Sequence, residues 1–182
     1  MKIIYILLTK SNTLLSRLVH FVTADSYTHV AISFEGDLQP LYSSSRKNGR
    51  TIFPAGPCME QLHQGYYRKN AQIPCILYEL HVSDEAYMLA KQEVQNIMSN
   101  EHDYHFNIIG LLLCQLNIPY HRKHHFFCSQ FVSEVLSKSN ALRLPKDASL
   151  MKPSDYMYLP ELLCRFRGQL QNLIQMQFLL AA

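Results

Sequence analysis

The chain has 182 residues, of which 48% are hydrophobic, and a formal net charge of +3. This length is enough to bury one core, so we expect a single domain over residues 1–182. The charge is small and the basic residues are scattered, which argues against a nucleic-acid-binding protein, because such proteins need a concentrated Lys/Arg face.

The first apolar run, Ile3 to Leu8, is too short to cross a membrane and has no small-residue cleavage site. We therefore predict that it is a buried strand and that the protein is cytoplasmic. The five cysteines form no Cys-x-x-Cys pair. An odd number without such a pair favours neither a disulfide framework nor a zinc knuckle, which fits a reducing compartment. We expect no cofactor and no metal.

The next segments predict a helix followed by a hairpin. Ser11 is suited to cap a helix with one apolar face. Residues 28–34 alternate as a strand, with His29 on the side opposite to the large apolar residues. The turn signal at residues 35–37 leads into a second strand over residues 39–44, so these two strands should pair.

The middle of the chain predicts a long loop and then three helices. Residues 45–70 are rich in Arg, Lys, Gly, Pro and Gln, which predicts a loop excursion able to cover a substrate. A strand over residues 75–82 leads to Ser83, which is suited to cap a helix. Two further helices are predicted over Phe106–Leu116 and Phe127–Ser137.

The C-terminal part predicts a loop marked by prolines and a final helix from about Glu161. Its apolar tail, Leu173 to Leu180, could pack on the body, on a second subunit or on a lipid surface. We expect the short basic stretch from His121 to His125 to form a solvated loop before a helix. We find no internal repeat or linker.

Cys128 lies at the start of the helical stripe in residues 127–137. A thiol at a helix N-terminus feels the positive end of the helix dipole, which favours the reactive thiolate. Alternatively, Cys128 is a small apolar residue on a buried helix, as free cysteines often are. Cys75, Cys114 and Cys164 lie within predicted elements, and nothing near Cys58 supports a reactive role.

A nucleophilic cysteine needs a base, and the fold rather than sequence proximity must supply it. His29 is the best candidate because it opens a strand and faces away from the apolar side, although a strand histidine is commonly structural. Its competitors are four other histidines: His102, His105, His124 and His125. His102 and His105 lack partners at a recognisable metal-ligand spacing.

Two motifs together resemble a known family: Thr28-His29-Val30-Ala31-Ile32-Ser33 and Phe127-Cys128-Ser129-Gln130-Phe131-Val132. They resemble the permuted NlpC/P60-like cysteine peptidases, which include YiiX-like hydrolases and the lecithin retinol acyltransferase relatives, and they are most similar to the bacterial YiiX-like branch. The resemblance implies an α+β fold with a circularly permuted papain-like core. In that core, a small antiparallel sheet packs on the helix that bears the cysteine.

The resemblance also implies roles for individual residues. Cys128 matches the nucleophile and His29 the general base. Relatives place a polar residue on the strand after the hairpin, where Tyr42 is our first candidate and Ser43 our second. A hydroxyl can orient the imidazole but stabilises imidazolium less than a carboxylate does. Backbone N–H groups at the start of the Cys128 helix could stabilise an oxyanion.

The leading hypothesis is therefore a cysteine hydrolase that cleaves a peptide-like amide or an ester through a Cys128 thioester. Its substrate would be a small amide, a peptide or an acyl lipid, and the acyl group could pass to water or to another acceptor. One alternative is a non-catalytic binding module on the same fold. Another is a lipid acyltransferase or hydrolase that docks on a membrane surface through the C-terminal helix. The oligomeric state stays open.

Overall fold

The computed structural model of the protein describes residues 1–10, 27–46 and 55–181. It has an α+β fold built on a six-stranded antiparallel sheet. The strands of this sheet are β1 Lys2–Thr9, β2 His29–Ser33, β3 Leu41–Arg46, β4 Ala55–Glu60, β5 Pro74–Val82 and β8 Leu162–Gln169. Across the sheet they lie in the order β4-β3-β2-β1-β5-β8. Two short strands, β6 His105–Phe106 and β7 His125–Phe126, form a separate parallel pair.

Helices cover both faces of the sheet. They are α1 Gly65–Lys69, α2 Asp84–Ser99, α3 Ile108–Gln115, α4 Cys128–Lys138 and α5 Leu170–Ala181. Two 3₁₀ turns, Ala148–Leu150 and Pro153–Tyr158, follow α4. Among the described residues, no helix has the length and apolar character needed to cross a membrane.

The central strand β1 shows why the sheet is buried on both faces. Ile4, Ile6 and Leu8 pack into the apolar cluster that contains the inner residues of α2 and α4, whereas Leu7 packs into a second cluster. That second cluster takes in Leu170 and Leu173 of α5, both fully buried. Because both faces of β1 are covered, its sequence is a continuous apolar run and shows no alternation.

Most of the predicted elements are confirmed within a few residues. The strands predicted at residues 3–8, 28–34, 39–44 and 75–82 correspond to β1, β2, β3 and β5, and the helix predicted at residues 127–137 is α4. Strands β2 and β3 are antiparallel neighbours, as the hairpin prediction requires. Ser83 caps α2 by accepting a hydrogen bond of 3.1 Å from the Ala86 N–H. The helix predicted from Ser11 lies outside the described residues.

The prediction that residues 45–70 form only a loop was wrong, because this segment contains both β4 and α1. The sequence of β4, Ala-Gly-Pro-Cys-Met-Glu, lacks β-branched residues and contains two residues typical of turns. It nevertheless forms a strand because it lies at the edge of the sheet. An edge strand tolerates Pro57, which has no backbone N–H to donate to a neighbouring strand.

The prediction of a helix from Glu161 was also wrong, because β8 comes first and α5 begins at Leu170. β8 is held by antiparallel pairing with β5, a long-range contact that local helix propensity does not reveal. The helix predicted from Phe106 likewise begins later, since Phe106 belongs to β6 and Asn107 caps α3 by accepting a 2.9 Å hydrogen bond from the Gly110 N–H.

Candidate active site

Cys128 is the first residue of α4 and is 9% exposed. The N-cap residue, Phe127, offers no side-chain acceptor to the first turn. The backbone N–H groups of that turn are therefore not satisfied by a capping side chain. The helix is held rigidly behind them because Phe131, Val132 and Val135 are fully buried.

The segment just before Cys128 is anchored to the sheet and to α3. Ser44 Oγ on β3 donates a 2.7 Å hydrogen bond to the Phe126 carbonyl oxygen, and the Asn107 N–H donates to the same oxygen at 3.1 Å. The Asn107 side chain also donates to Gln130 Oε1 on α4 at 3.1 Å. These contacts position the start of α4 relative to the sheet.

His29 opens β2, pairs with Thr9 of β1, and has a side chain that is 13% exposed. Its imidazole is close enough to Cys128 for the thiol to help raise the pKa of His29. Its Nε2 lies 3.0 Å from Glu60 Oε2. The structure thus brings together the two residues that the sequence analysis singled out as nucleophile and base.

Glu60, the last residue of β4, receives hydrogen bonds on both carboxylate oxygens. Ser45 Oγ donates to Oε1 at 2.7 Å, and Tyr67 Oη donates to Oε2 at 2.9 Å. With His29 as a further partner, this side chain, only 15% exposed, is surrounded by hydrogen-bonding groups. Such a carboxylate is stabilised in its ionised form.

The pKa values in this cluster show which effect prevails. Burial acts to lower the pKa of His29, but the Glu60 charge, the interaction with Cys128 and the hydrogen bond to Glu60 outweigh it and raise the pKa well above its usual range. Burial acts to raise the pKa of Glu60, but the His29 charge and the hydrogen bonds from His29, Ser45 and Tyr67 lower it overall. The protonated imidazole and the ionised carboxylate therefore stabilise each other.

Tyr67, on α1, remains a hydrogen-bond donor throughout the physiological range. Burial and the neighbouring Glu60 carboxylate raise the pKa of Tyr67 well above its ordinary value. Its phenol group is therefore neutral, and the hydrogen bond that it donates stabilises the ionised carboxylate of Glu60. The loop predicted to cover a substrate instead contributes two groups, Tyr67 and Glu60, to the hydrogen-bond network of His29.

Tyr42 and Ser43, our candidates for the third member, are placed elsewhere. The Ser43 hydroxyl is buried and donates to the Val30 carbonyl oxygen at 2.8 Å. The ring of Tyr42 lies 6.3 Å from that of Phe34, centroid to centroid. Glu60, which the sequence analysis missed, occupies the position next to His29 instead. A signal was present, since Glu60 is the only acidic residue between positions 37 and 79.

The other cysteines and histidines have different surroundings. Burial raises the pKa of Cys75 to about 12 and that of Cys114 to about 11, so both thiols stay protonated. His125 Nδ1 lies 2.8 Å from the Lys123 carbonyl oxygen, and the His124 ring packs 4.7 Å from the Tyr104 ring. In the described part of the chain, no group of three or more His, Cys, Asp or Glu is arranged to hold a metal ion.

A groove of about 780 Å³ lies beside the start of α4. Its lining residues come from β4, from the β6–β7 pair and from the start of α3: Ala55, His105, Phe106, Asn107, Ile108, Ile109, Arg122 and His125. Two of them, Ala55 and Phe106, pack in one apolar cluster with Phe127, the residue before Cys128. Cys128, His29 and Glu60 do not line the groove, so it is a candidate site for a part of a substrate that lies away from the reacting bond.

Comparison with models of known protein families gives no match, and comparison with curated proteins gives none either. The geometry of the cluster around His29 is therefore the guide to what the protein does.

Proposed function

We propose that the protein is a cysteine hydrolase with a permuted papain-like core, in which Cys128 is the nucleophile, His29 the base and Glu60 the orienting carboxylate. The observation that supports this proposal is the position of His29, which interacts with Cys128 and has its Nε2 3.0 Å from Glu60 Oε2. A nucleophile, a base and a group that orients the base are the three parts that covalent acyl transfer requires. The order of histidine before cysteine resembles that of the permuted NlpC/P60-like and YiiX-like enzymes.

The proposed reaction starts from the ion pair in which the proton of the Cys128 thiol already lies on His29. The resulting imidazolium lies between the thiolate and the Glu60 carboxylate, and both negative charges favour it, as the raised pKa of His29 reflects. The thiolate adds to an amide or ester carbonyl, and the uncapped N–H groups at the start of α4 are suited to stabilise the oxyanion.

The second half of the reaction returns the enzyme to its starting state. His29 gives its proton to the leaving amine or alcohol as the tetrahedral intermediate collapses to a thioester on Cys128. A water molecule then loses a proton to His29 and attacks the thioester. The acid departs, the Cys128 thiolate is released and the proton from water stays on His29, so the starting ion pair is restored and all atoms and charges balance.

Glu60 strengthens this proposal beyond what a hydroxyl on Tyr42 or Ser43 would have allowed. A carboxylate stabilises the imidazolium electrostatically, whereas a hydroxyl supplies only a hydrogen bond. The groove beside the start of α4 has an apolar wall that includes Phe106 and Ile108. We infer a substrate that carries an apolar group away from its peptide-like amide or ester bond.

The test is the pH dependence of iodoacetamide alkylation at each cysteine, followed by mass spectrometry, in the wild type and in His29→Gln. For Cys128 we expect a rate that falls far less between about pH 9 and pH 6 than that of a free thiol, and we expect this advantage to disappear in the variant. The exposed Cys164 is the internal control, and its profile should be the same in both proteins.

The ratio of rates at two pH values is used because burial of Cys128 slows access equally at both. A Cys128 profile parallel to that of Cys164, or one that His29→Gln leaves unchanged, would refute the hydrolase. The remaining hypothesis would then be a binding module that retains the fold without the chemistry.

A further inference from the structure

Helix α3 and the turn after it expose a stripe of large apolar side chains. Ile109 is 51% exposed, Leu112 44%, Leu116 68% and Ile118 47%. The spacing of the three residues 109, 112 and 116 places them on one face of a helix. Monomeric proteins tolerate scattered exposed apolar residues, but a contiguous group of them marks an interaction surface.

The opposite face of α3 is packed, so the exposed stripe is not a sign of a loose helix. Leu111 and Cys114 are buried in the cluster that also contains Phe127. Asn107 caps the helix and connects it to Gln130 on α4. The stripe is thus presented on a fixed element next to the candidate active site.

Positive charge lies beside the stripe. Arg122 and Lys123, in the turn before β7, are exposed, and neither forms an ion pair with an acidic residue of the described chain. From Tyr104 to Ser133 the sequence contains no Asp or Glu. An apolar stripe flanked by two exposed cationic side chains complements a surface that is negatively charged outside and apolar beneath.

The groove connects these two features. Ile109 from the stripe and Arg122 from the basic turn both line it. The boundary between the apolar stripe and the basic turn is therefore an edge of this groove. A surface bound at this boundary would lie directly over the groove.

We propose that α3 and the turn through Lys123 dock the protein on an anionic phospholipid membrane. The apolar side chains enter the boundary between headgroups and acyl chains, while Arg122 and Lys123 contact lipid phosphates. This docking goes beyond the proposed hydrolase and does not depend on Cys128 chemistry. An acidic protein or a nucleic acid would use the two cations but would leave the apolar stripe exposed.

The test is sedimentation of the full chain with phospholipid vesicles. Wild type is compared on vesicles of phosphatidylcholine alone and on vesicles with equal parts phosphatidylcholine and phosphatidylglycerol. Two double variants remove one feature each: Leu112→Gln with Leu116→Gln, and Arg122→Gln with Lys123→Gln. Since all four side chains are exposed, circular dichroism should show an unchanged fold in both.

We expect wild type to bind the anionic vesicles and to bind phosphatidylcholine far less. Loss of the two cations should weaken partitioning about 30-fold at low salt, and loss of the two leucines by at least as much. The matched controls are Arg68→Gln with Lys69→Gln, an exposed basic pair on α1, and Leu163→Gln on β8, where the side chain is 55% exposed. Both controls should bind like wild type.

Three results would overturn the proposal: no binding of wild type to the anionic vesicles, equal binding to both vesicle types, or equal weakening by the test and control variants. Because alkylation of Cys128 is measured without lipid, failure of the docking surface and failure of the hydrolase are distinguishable.

Discussion

Nε2 of His29 lies 3.0 Å from Oε2 of Glu60, and this contact joins β2 to β4 across the intervening strand β3. β3 takes part, because Ser45 on that strand donates to the other carboxylate oxygen. With Nε2 held in this way, the imidazole has Nδ1 as its second hydrogen-bonding atom for the Cys128 thiol. The sheet thereby sets both the position and the orientation of the base.

Replacing Glu60 with Gln tests its role as a positioning residue. The substitution keeps the size of the side chain but removes the charge that favours protonated His29. We expect alkylation of Cys128 near neutral pH to slow by on the order of 100-fold. Glu35→Gln is the matched control, since Glu35 is an exposed carboxylate paired with Lys91. Wild-type reactivity in Glu60→Gln would remove Glu60 from the mechanism.

The same substitution should make stability depend differently on pH. The raised pKa of His29 contributes stability that is complete below its unfolded value of about 6.5 and is lost as pH rises through the folded value. The lowered pKa of Glu60 contributes stability that is complete above its unfolded value of about 4.3 and is lost as pH falls through the folded value. The pair therefore stabilises the fold most between those two unfolded values.

Urea unfolding between pH 5 and alkaline pH measures this effect. We expect Glu60→Gln to lower the free energy of unfolding by about 2–3 kcal/mol at a pH between the unfolded pKa values of Glu60 and His29. The deficit relative to wild type should shrink as pH rises through the folded pKa of His29. A deficit that stays constant with pH would show that the charge pair does not contribute to stability.

Tyr67→Phe removes a single hydrogen bond and leaves the ring in place. Glu60 then loses one of its hydrogen-bond donors, which raises the pKa of its carboxyl group. The electrostatic attraction between Glu60 and protonated His29 weakens as a result. We expect a loss of about 1–2 kcal/mol in unfolding free energy and a smaller drop in Cys128 alkylation than Glu60→Gln causes. Tyr158→Phe, at a site 81% exposed, should leave both measurements unchanged. Equal behaviour of the two variants would contradict the network.

Gly56→Ala tests the contact between β4 and the β6–β7 pair. A Cβ at Gly56 would lie 2.9 Å from the Tyr104 carbonyl oxygen, so the backbone of one strand must move. We expect a loss of about 1–3 kcal/mol in unfolding free energy. At Gly36 the nearest atom to a Cβ is Tyr5 Oη at 3.4 Å, an ordinary contact. Gly36→Ala should therefore unfold at nearly the wild-type urea concentration.

Local patterns predicted the elements that carry Cys128 and His29, but not the element that carries Glu60. Strand alternation identified β2, and an apolar stripe at helical spacing identified α4, because those signals lie within the segments themselves. β4 contains Gly56 and Pro57, and its strand depends on pairing with β3, which its own sequence does not encode. β8 was not predicted either, because it depends on long-range pairing with β5.

The hydrogen bond from Ser44 to the Phe126 carbonyl oxygen spans 82 positions of the chain. It belongs to a class of distant contacts that form slowly, because a long loop must close before they contribute any stability. During synthesis, the strands bearing His29 and Glu60 leave the ribosome well before α4. An unfinished chain therefore has the base and its carboxylate but no nucleophile, and the proposed chemistry begins only after the late α4 has docked on the early strands.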